Sequence, residues 1–242
     1  MQSSPRVLVL LPAYNEQKNI GAVLDKLMEV RRGHGPAFDI LVVDDGSNDG
    51  TAEEAMSRGI NVIKHGRNFG EESSIQSGLA YALRKGYDLV VKIDADGQHE
   101  PKHVIRVLRA LGEGKADLVI GGRQRDYEEP LLFRCGRAVC RLLIIALTGE
   151  RIRDATSGFY GFSRDCCKLL NDVYRNTPLL KSDLTNNVER VLVCHRAGLK
   201  IKEVPVKMYG REGASKFYSS VNLLKFPLFL IKSVLLAVLW RL

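Results

Sequence analysis

The sequence contains no uncharged apolar run of about 18 residues, so a standard membrane-spanning helix is not expected. Its start, Met1-Gln2-Ser3-Ser4-Pro5-Arg6, leads straight into an apolar run and lacks the charged, apolar, then small-residue pattern of a secretory signal. Cysteine is scarce and poorly spaced for a metal: Cys135, Cys140, Cys166, Cys167 and Cys194 are odd in number and show no paired ligand spacing. That excludes a disulfide framework and a zinc site, and points to buried thiols in a reducing compartment. No internal repeat or long linker is visible, and tryptophan occurs once, at Trp240. Acidic residues are in deficit: 28 Asp and Glu against 36 Lys and Arg leave a net charge of +8. That balance favours an anionic partner, a phosphate or an anionic lipid. Nucleic acid is not expected, because no recognised binding motif accompanies the charge.

What is present is strand–helix alternation. At 242 residues and 45% hydrophobic content, the chain can bury the core of one large domain. Val7-Leu8-Val9-Leu10-Leu11 is a continuous apolar run of the kind found in the middle of a parallel sheet. It is followed by Pro12-Ala13-Tyr14-Asn15-Glu16 and then by a helical pattern over about 17–31. Further strands are expected at 39–43, 60–63, 87–93 and 116–120, with helices at 72–84 and 101–111 and a short one near 51. Such alternation predicts a mostly parallel α/β sheet flanked by helices, whose ligands sit beyond the carboxyl ends of the strands. The loops 12–16, 44–51, 94–101 and Gly121-Gly122-Arg123 all follow strands, so they are expected to meet at one rim.

The stretch Asp94-Ala95-Asp96-Gly97-Gln98-His99-Glu100-Pro101 follows the 87–93 strand. In extended backbone, residues two apart share a side, so Asp94 and Asp96 would present two carboxylates together, with Gln98 continuing the row. Gly97 permits the turn, and Pro101 suits the first turn of the next helix. Two carboxylates and an amide oxygen make a hard, incomplete oxygen shell suited to Mg²⁺ or Mn²⁺. The bland alternative is an acidic turn that caps the following helix.

The second half is less regular. Residues 131–148 read as a helix mixing Arg134, Arg137 and Arg141 with Leu, Ile and Val. A polar loop over 151–159 leads to a possible strand at 160–162, and a helix is expected over 183–197 with Asp183 and Glu189. Residues 200–207 alternate like an edge strand, where Pro205 is tolerated. Gly210-Arg211-Glu212-Gly213-Ala214-Ser215-Lys216 is a basic loop. The tail over 221–240 is strongly apolar, with Lys225 and Lys232 seven apart on one helix face. It suits an amphipathic helix lying in a bilayer interface, a helix docked on a partner, or one packed on the core.

Together these motifs resemble the inverting glycosyltransferases of family 2 and their GT-A (Rossmann-like) fold, over nearly the whole chain. Pro12-Ala13-Tyr14-Asn15-Glu16 resembles that family's first nucleotide-binding loop, which places Pro12, Tyr14 and Glu16 at the nucleotide. Asp44-Asp45-Gly46-Ser47 resembles the second, where Asp45 would contact base or ribose. Asp94-Ala95-Asp96 resembles the metal motif, with Asp94, Asp96 and Gln98 as ligands. Within the family the resemblance is greatest to polyprenyl-phosphate sugar synthases of the dolichol-phosphate mannosyltransferase type. The residues that carry it are Gly122-Arg123, Thr156-Ser157-Gly158-Phe159, Glu203-Val204-Pro205-Val206 and Arg211-Glu212-Gly213-Ala214-Ser215-Lys216. It implies that Arg123, Arg211 and Lys216 touch donor or acceptor phosphates. The basic loop is one residue shorter than the mannosyltransferase form. The Gln-x-x-Arg-Trp motif of processive polysaccharide synthases is missing.

The resemblance implies a GT-A domain over 1–216 and a membrane- or partner-docking helix over 217–242. It implies transfer of a hexose, mannose or glucose, from a GDP- or UDP-sugar to polyprenyl phosphate at the cytoplasmic face of a membrane. A small membrane protein partner and an oligomer are both compatible with it. Charge growing on the departing diphosphate calls for a cation and for arginines. A phosphate acceptor needs no base, whereas a sugar hydroxyl does. Arg123, Arg125, Arg134, Arg137, Arg151 and Arg153 favour the phosphate. Asp183 and Glu189 keep a base, and so a glycan or glycolipid hydroxyl, in play, unless both lie on a solvated helix face. Asp154 would orient Arg123 or Arg153, or cap a turn. A non-catalytic nucleotide-sugar-binding subunit is the remaining alternative, and the intact Asp94, Asp96 and Gln98 set argues against it.

Overall fold

A computed structural model describes residues 4–33, 36–112, 114–125, 131–176 and 186–210. Seven strands form one sheet in the order β3-β2-β1-β4-β6-β5-β7. They are β1 (Val7–Ala13), β2 (Asp39–Asp44), β3 (Asn61–Lys64), β4 (Leu89–Lys92), β5 (Leu118–Arg125), β6 (Tyr160–Ser163) and β7 (Ile201–Met208). The pairs β1–β2, β1–β4, β2–β3 and β5–β7 are parallel, while β6 runs antiparallel to both β4 and β5. The sheet is therefore mostly parallel, as expected. Strand β7 is an edge, and its Pro205 needs no ladder donor on the open side.

The strand pleat sorts side chains to two faces. Leu8 and Leu10 of β1 enter one buried cluster, while Val7, Val9 and Leu11 enter the other. The first cluster is covered by α3 (Glu71–Lys85), α5 (Leu131–Thr148), α6 (Arg164–Asn176) and α7 (Asn186–Arg196). The second is covered by α1 (Gln17–Arg32), α2 (Thr51–Met56) and α4 (His103–Gly112). Both faces of the sheet are dry, which is why its strands read as unbroken apolar runs.

One buried ion pair ties the first layer together. Arg190 of α7 sits with its guanidinium 2.8 and 2.9 Å from the two oxygens of Glu72 on α3, and over the Tyr160 ring at 4.7 Å. Burial works against the Arg190 charge, but Glu72 outweighs it and holds the pKa well above the ordinary value.

Three expectations change. Helix α6 went unread, although Cys166, Cys167, Leu170, Val173 and Tyr174 recur at helical spacing and are buried. Its start is marked by Ser163, whose Oγ accepts the Cys166 N–H at 3.2 Å. Gly121-Gly122-Arg123 is not a loop after a strand: it lies inside β5, paired with Val204, Pro205 and Val206 of β7. The ladder continues because Gly122 leaves room for Glu203, whose Oε1 would lie 2.6 Å from an added Cβ. Glu189 does not occupy a solvated helix face, being only 4% exposed. Among the described residues no helix is long and apolar enough to cross a membrane. The apolar tail over 217–242 lies outside the described residues.

Candidate active site

The rim lies at the carboxyl ends of the parallel strands, where β6 begins, and its loops hold one another. Asn15, at φ +54°, donates its N–H to Ser47 Oγ and accepts from the Asn48 N–H through Oδ1, both at 2.9 Å. The Glu16 N–H reaches Thr51 Oγ1 at 2.9 Å, so the 12–16 and 44–51 loops form one surface. Pro12 and Tyr14 are partly buried in it.

Asp45 is held by the loop that follows β3. Its carboxylate is turned inward, 3% exposed. It accepts from the Phe69 N–H at 3.1 Å and the Gly70 N–H at 2.7 Å, and lies 2.7 Å from His65 Nδ1. His65 Nε2 in turn lies 2.9 Å from Ser77 Oγ. What this arrangement presents at the rim is the Phe69 ring, 52% exposed and covered on one face by the Arg67 guanidinium at 4.8 Å.

The 94–101 stretch is a turn rather than an extended row. Gly97 adopts φ +78°, and Asp96 Oδ1 accepts the Gln98 N–H at 3.0 Å. Ala95 packs into the core. Gln98 is tied to the end of β7: its Nε2 donates to the Tyr209 carbonyl at 3.2 Å, and its own carbonyl accepts the Tyr209 N–H at 2.8 Å. Tyr209 also donates its hydroxyl to Glu100 at 2.8 Å. Pro101 precedes α4 by two residues and supplies a carbonyl to its first turn.

Asp94 is gripped from two sides. Lys92, two residues back on β4 and 1% exposed, donates to both Asp94 Oδ1 and Glu71 Oε1. On the other side His99 Nδ1 stands 3.2 Å from Asp94 Oδ2, and the His99 ring stacks on Phe159. Burial opposes ionisation of Asp94, but the Lys92 ammonium and then His99 outweigh it, so the carboxyl is held below the usual carboxylate range. Burial likewise opposes the Lys92 charge; Asp94 and Glu71 outweigh it and raise its pKa. Gly158 is required by this packing, since a Cβ there would lie 2.4 Å from Asp94 Oδ2.

Arg123 forms the other end of the rim. Its Nε and Nη2 meet Asp154 at 2.5 and 2.7 Å, and Nη2 also donates to Thr156 Oγ1 at 2.7 Å. Glu203 fixes the backbone beneath by accepting the Arg153 and Asp154 N–H groups at 3.1 and 2.8 Å. Of the roles expected for Asp154, orienting Arg123 is observed, and its Oδ1 also accepts the Thr156 hydroxyl two residues on at 3.0 Å. Asn187 of α7 reaches the Thr156 carbonyl at 3.5 Å, which ties that helix to the same end.

Asp45, Asp94 and Arg123 thus share one rim, linked through Gly70–Glu71, Lys92 and the 154–158 loop, with Asp96 in the same turn as Asp94. Asp183, Arg211 and Lys216 lie outside the described residues. Sequence reading missed Lys92, His65 and Phe69. A lone lysine in an apolar strand, two residues before a carboxylate, was the available signal for the first.

The donors expected for a cation are Asp94, Asp96 and the Gln98 amide. Among the described residues no group of three or more His, Cys, Asp or Glu side chains is placed to hold a metal. A partial, oxygen-only shell fits Mg²⁺ or Mn²⁺, which retain waters and take substrate phosphate. The Asp94 side chain keeps 28% of its surface exposed, which leaves an approach for a cation.

A family model described as Glycosyl transferase family 2 matches residues 8–170. An undecaprenyl-phosphate mannosyltransferase of Micrococcus luteus is 30% identical over 228 residues, 89% of this chain and 89% of that protein. A polyprenol monophosphomannose synthase of Mycolicibacterium smegmatis is 30% identical over 238 residues, covering 91% and 84%. Among solved structures, glucosyl-3-phosphoglycerate synthase from Mycobacterium tuberculosis with Mn²⁺ and UDP-glucose superposes with a TM-score of 0.70 at 24% identity, covering 97% of this chain and 79% of that one. That likeness establishes the fold.

Proposed function

Because the chain belongs to glycosyl transferase family 2, we propose that this glycosyltransferase moves a hexose from a nucleotide-sugar to a polyprenyl phosphate at a membrane surface. The observation that carries this reading is the pairing of Arg123 with Asp154 and Thr156, on the rim that also holds the Asp94–Asp96 turn. It sets a rigid, forked cation at the acceptor end. Two relatives named for polyprenyl-phosphate mannose transfer, each 30% identical, support the choice of acceptor.

In this reading the donor lies along the 12–16, 44–51 and 67–70 loops. Asp45 serves it indirectly, by fixing the turn that offers the Phe69 ring to the base. Asp94, Asp96 and Gln98 would hold Mg²⁺ or Mn²⁺, which when bound neutralises charge growing on the departing diphosphate. Lys92 keeps Asp94 ionised and aimed. Arg123 holds the acceptor phosphate against the anomeric carbon. That phosphate has a second pKa of about 6 and is mostly dianionic at neutral pH, so it attacks without a general base. Attack from the face opposite the diphosphate inverts the anomeric centre.

A second reading, transfer to a sugar hydroxyl with Glu189 as base, is favoured by the burial of Glu189 on the helix whose Asn187 reaches the Thr156 carbonyl. The test is a donor panel of GDP-mannose, UDP-glucose and UDP-N-acetylglucosamine with a short-chain polyprenyl phosphate, with and without EDTA. Sugar-lipid formed from one donor, and lost with EDTA, is the expected result. Turnover only with hydroxyl acceptors, abolished in Glu189→Gln, would replace this reading with the second.

A further inference from the structure

A second hollow lies on the far side of His65 from Asp45. It opens between α3, α6 and the edge strand β3, with a volume of about 440 Å³. Two arginines line it, Arg84 from the last turn of α3 and Arg175 from the last turn of α6. Asn171, one turn before Arg175, and Ser77, two turns before Arg84, add an amide and a hydroxyl. Ile63 and Leu83 supply an apolar wall. Both arginines are exposed, and among the described residues neither has an ion-pair partner. A last-turn arginine suits the helix dipole. That explains the sign of each one, but not why both line one hollow together with an amide and a hydroxyl.

The chemistry of the lining selects the occupant. Two guanidinium groups match the double charge that a phosphate monoester carries at neutral pH, and their forked N–H groups suit its oxygens. Ser77 then connects the hollow to the rim. Its Oγ lies 2.9 Å from His65 Nε2, and His65 Nδ1 lies 2.7 Å from Asp45. We propose that this hollow binds the phosphate group of a small molecule, free or esterified, and that its occupancy is felt at the Phe69 turn through Ser77, His65 and Asp45.

The relay follows from donor and acceptor roles. A carboxylate only accepts, so Nδ1 donates to Asp45; the neutral ring then accepts at Nε2, and the Ser77 hydroxyl donates to it. A phosphate oxygen reaching Ser77 draws that hydroxyl away, and the ring loses one of its two anchors. The Asp45 carboxylate, which holds the Phe69 and Gly70 N–H groups, is then less firmly fixed. Only this last link rests on the nucleotide-sugar reading, which lays the donor on the Phe69 turn.

Isothermal titration of the full chain in a phosphate-free buffer, with inorganic phosphate and with glycerol phosphate, tests the site. Binding is expected. A tighter ester assigns the apolar wall to its organic part, and equal affinities assign the site to free phosphate. Arg84→Gln with Arg175→Gln should weaken binding about tenfold or more, with thermal unfolding and phosphate-free sugar transfer unchanged. Saturating glycerol phosphate should weaken nucleoside diphosphate binding to the parent about fivefold. That response should vanish in the double variant and in Ser77→Ala, which keeps the phosphate site; phosphate competing at the rim would persist in both. No phosphate binding, binding unaffected by the double substitution, or a response that is missing in the parent or survives in Ser77→Ala overturns the inference. If phosphate binds through the two arginines but the parent takes no nucleoside diphosphate, the site stands and the donor reading falls.

Discussion

The two halves of the rim are built differently. On the proposed donor side, short loops at the ends of β1, β2 and β3 are cross-tied by backbone N–H groups and small polar side chains, such as Asn15 with Ser47 and Asp45 with Gly70. On the proposed acceptor side, distant segments are locked by charge: Arg123 by Asp154, and the Asp154 backbone by Glu203. The first style relies on many modest bonds and tolerates single losses. The second concentrates its order in a few largely buried charges, whose partners are left stranded when one is removed. The Asp94 turn lies at the junction, with Lys92 and Glu71 on the donor side and Gly158 on the acceptor side.

The largest expected effect is at that junction. Asp96→Ala should reduce sugar transfer by about 10²–10³-fold while circular dichroism stays native, because the charge developing on the leaving group loses its counter-ion. Transfer near the parent's rate would remove the metal assignment. Lys92→Met should cost about 10–100-fold, acting through a misaimed Asp94. It also carries a pH signature. A carboxyl held below its ordinary pKa contributes stability above its unfolded pKa of about 3.9 and loses it as pH falls through the lower folded value. With Lys92 gone, burial dominates and the Asp94 pKa rises, so acid unfolding of the variant should begin at higher pH than that of the parent. Identical acid-unfolding profiles would contradict the grip.

Asp154→Asn sharpens the division between the halves. It should raise KM for the lipid phosphate about tenfold and leave donor KM in place, since Asn keeps one acceptor but loses the bidentate, charge-assisted pairing with the Arg123 fork. Equal rises in both constants would erase the distinction. Phe69→Ala should be the mildest, weakening donor affinity about two- to tenfold through the loss of an aromatic face. Isothermal titration with the nucleotide diphosphate reads that change directly.

The same contrast explains what the sequence disclosed. The donor half was legible because each of its loops follows an apolar strand, and period and punctuation identify both. Helix boundaries such as Gln17–Arg32 were recovered to within a residue. The acceptor half was harder to read, because its order comes from pairs far apart in the chain. Arg123 with Asp154 and Glu72 with Arg190 leave no local pattern. The continuation of β5 through Gly121 and Gly122 depends on the space Glu203 needs from a neighbouring strand. The inward turn of Asp45 depends on two amide groups two dozen residues later. Helix α6 is readable from its periodicity and its Ser163 cap.

The reversed direction of β6 has a further consequence. The chain leaves the sheet at the carboxyl end of β5 and re-enters it through β6 at the same end, so the segment between the two strands starts and finishes on one side of the sheet. Such a segment behaves as an exchangeable cassette. Grafting the corresponding piece of a relative between those two points should alter which acceptor is glycosylated while the nucleotide-sugar preference of the host survives.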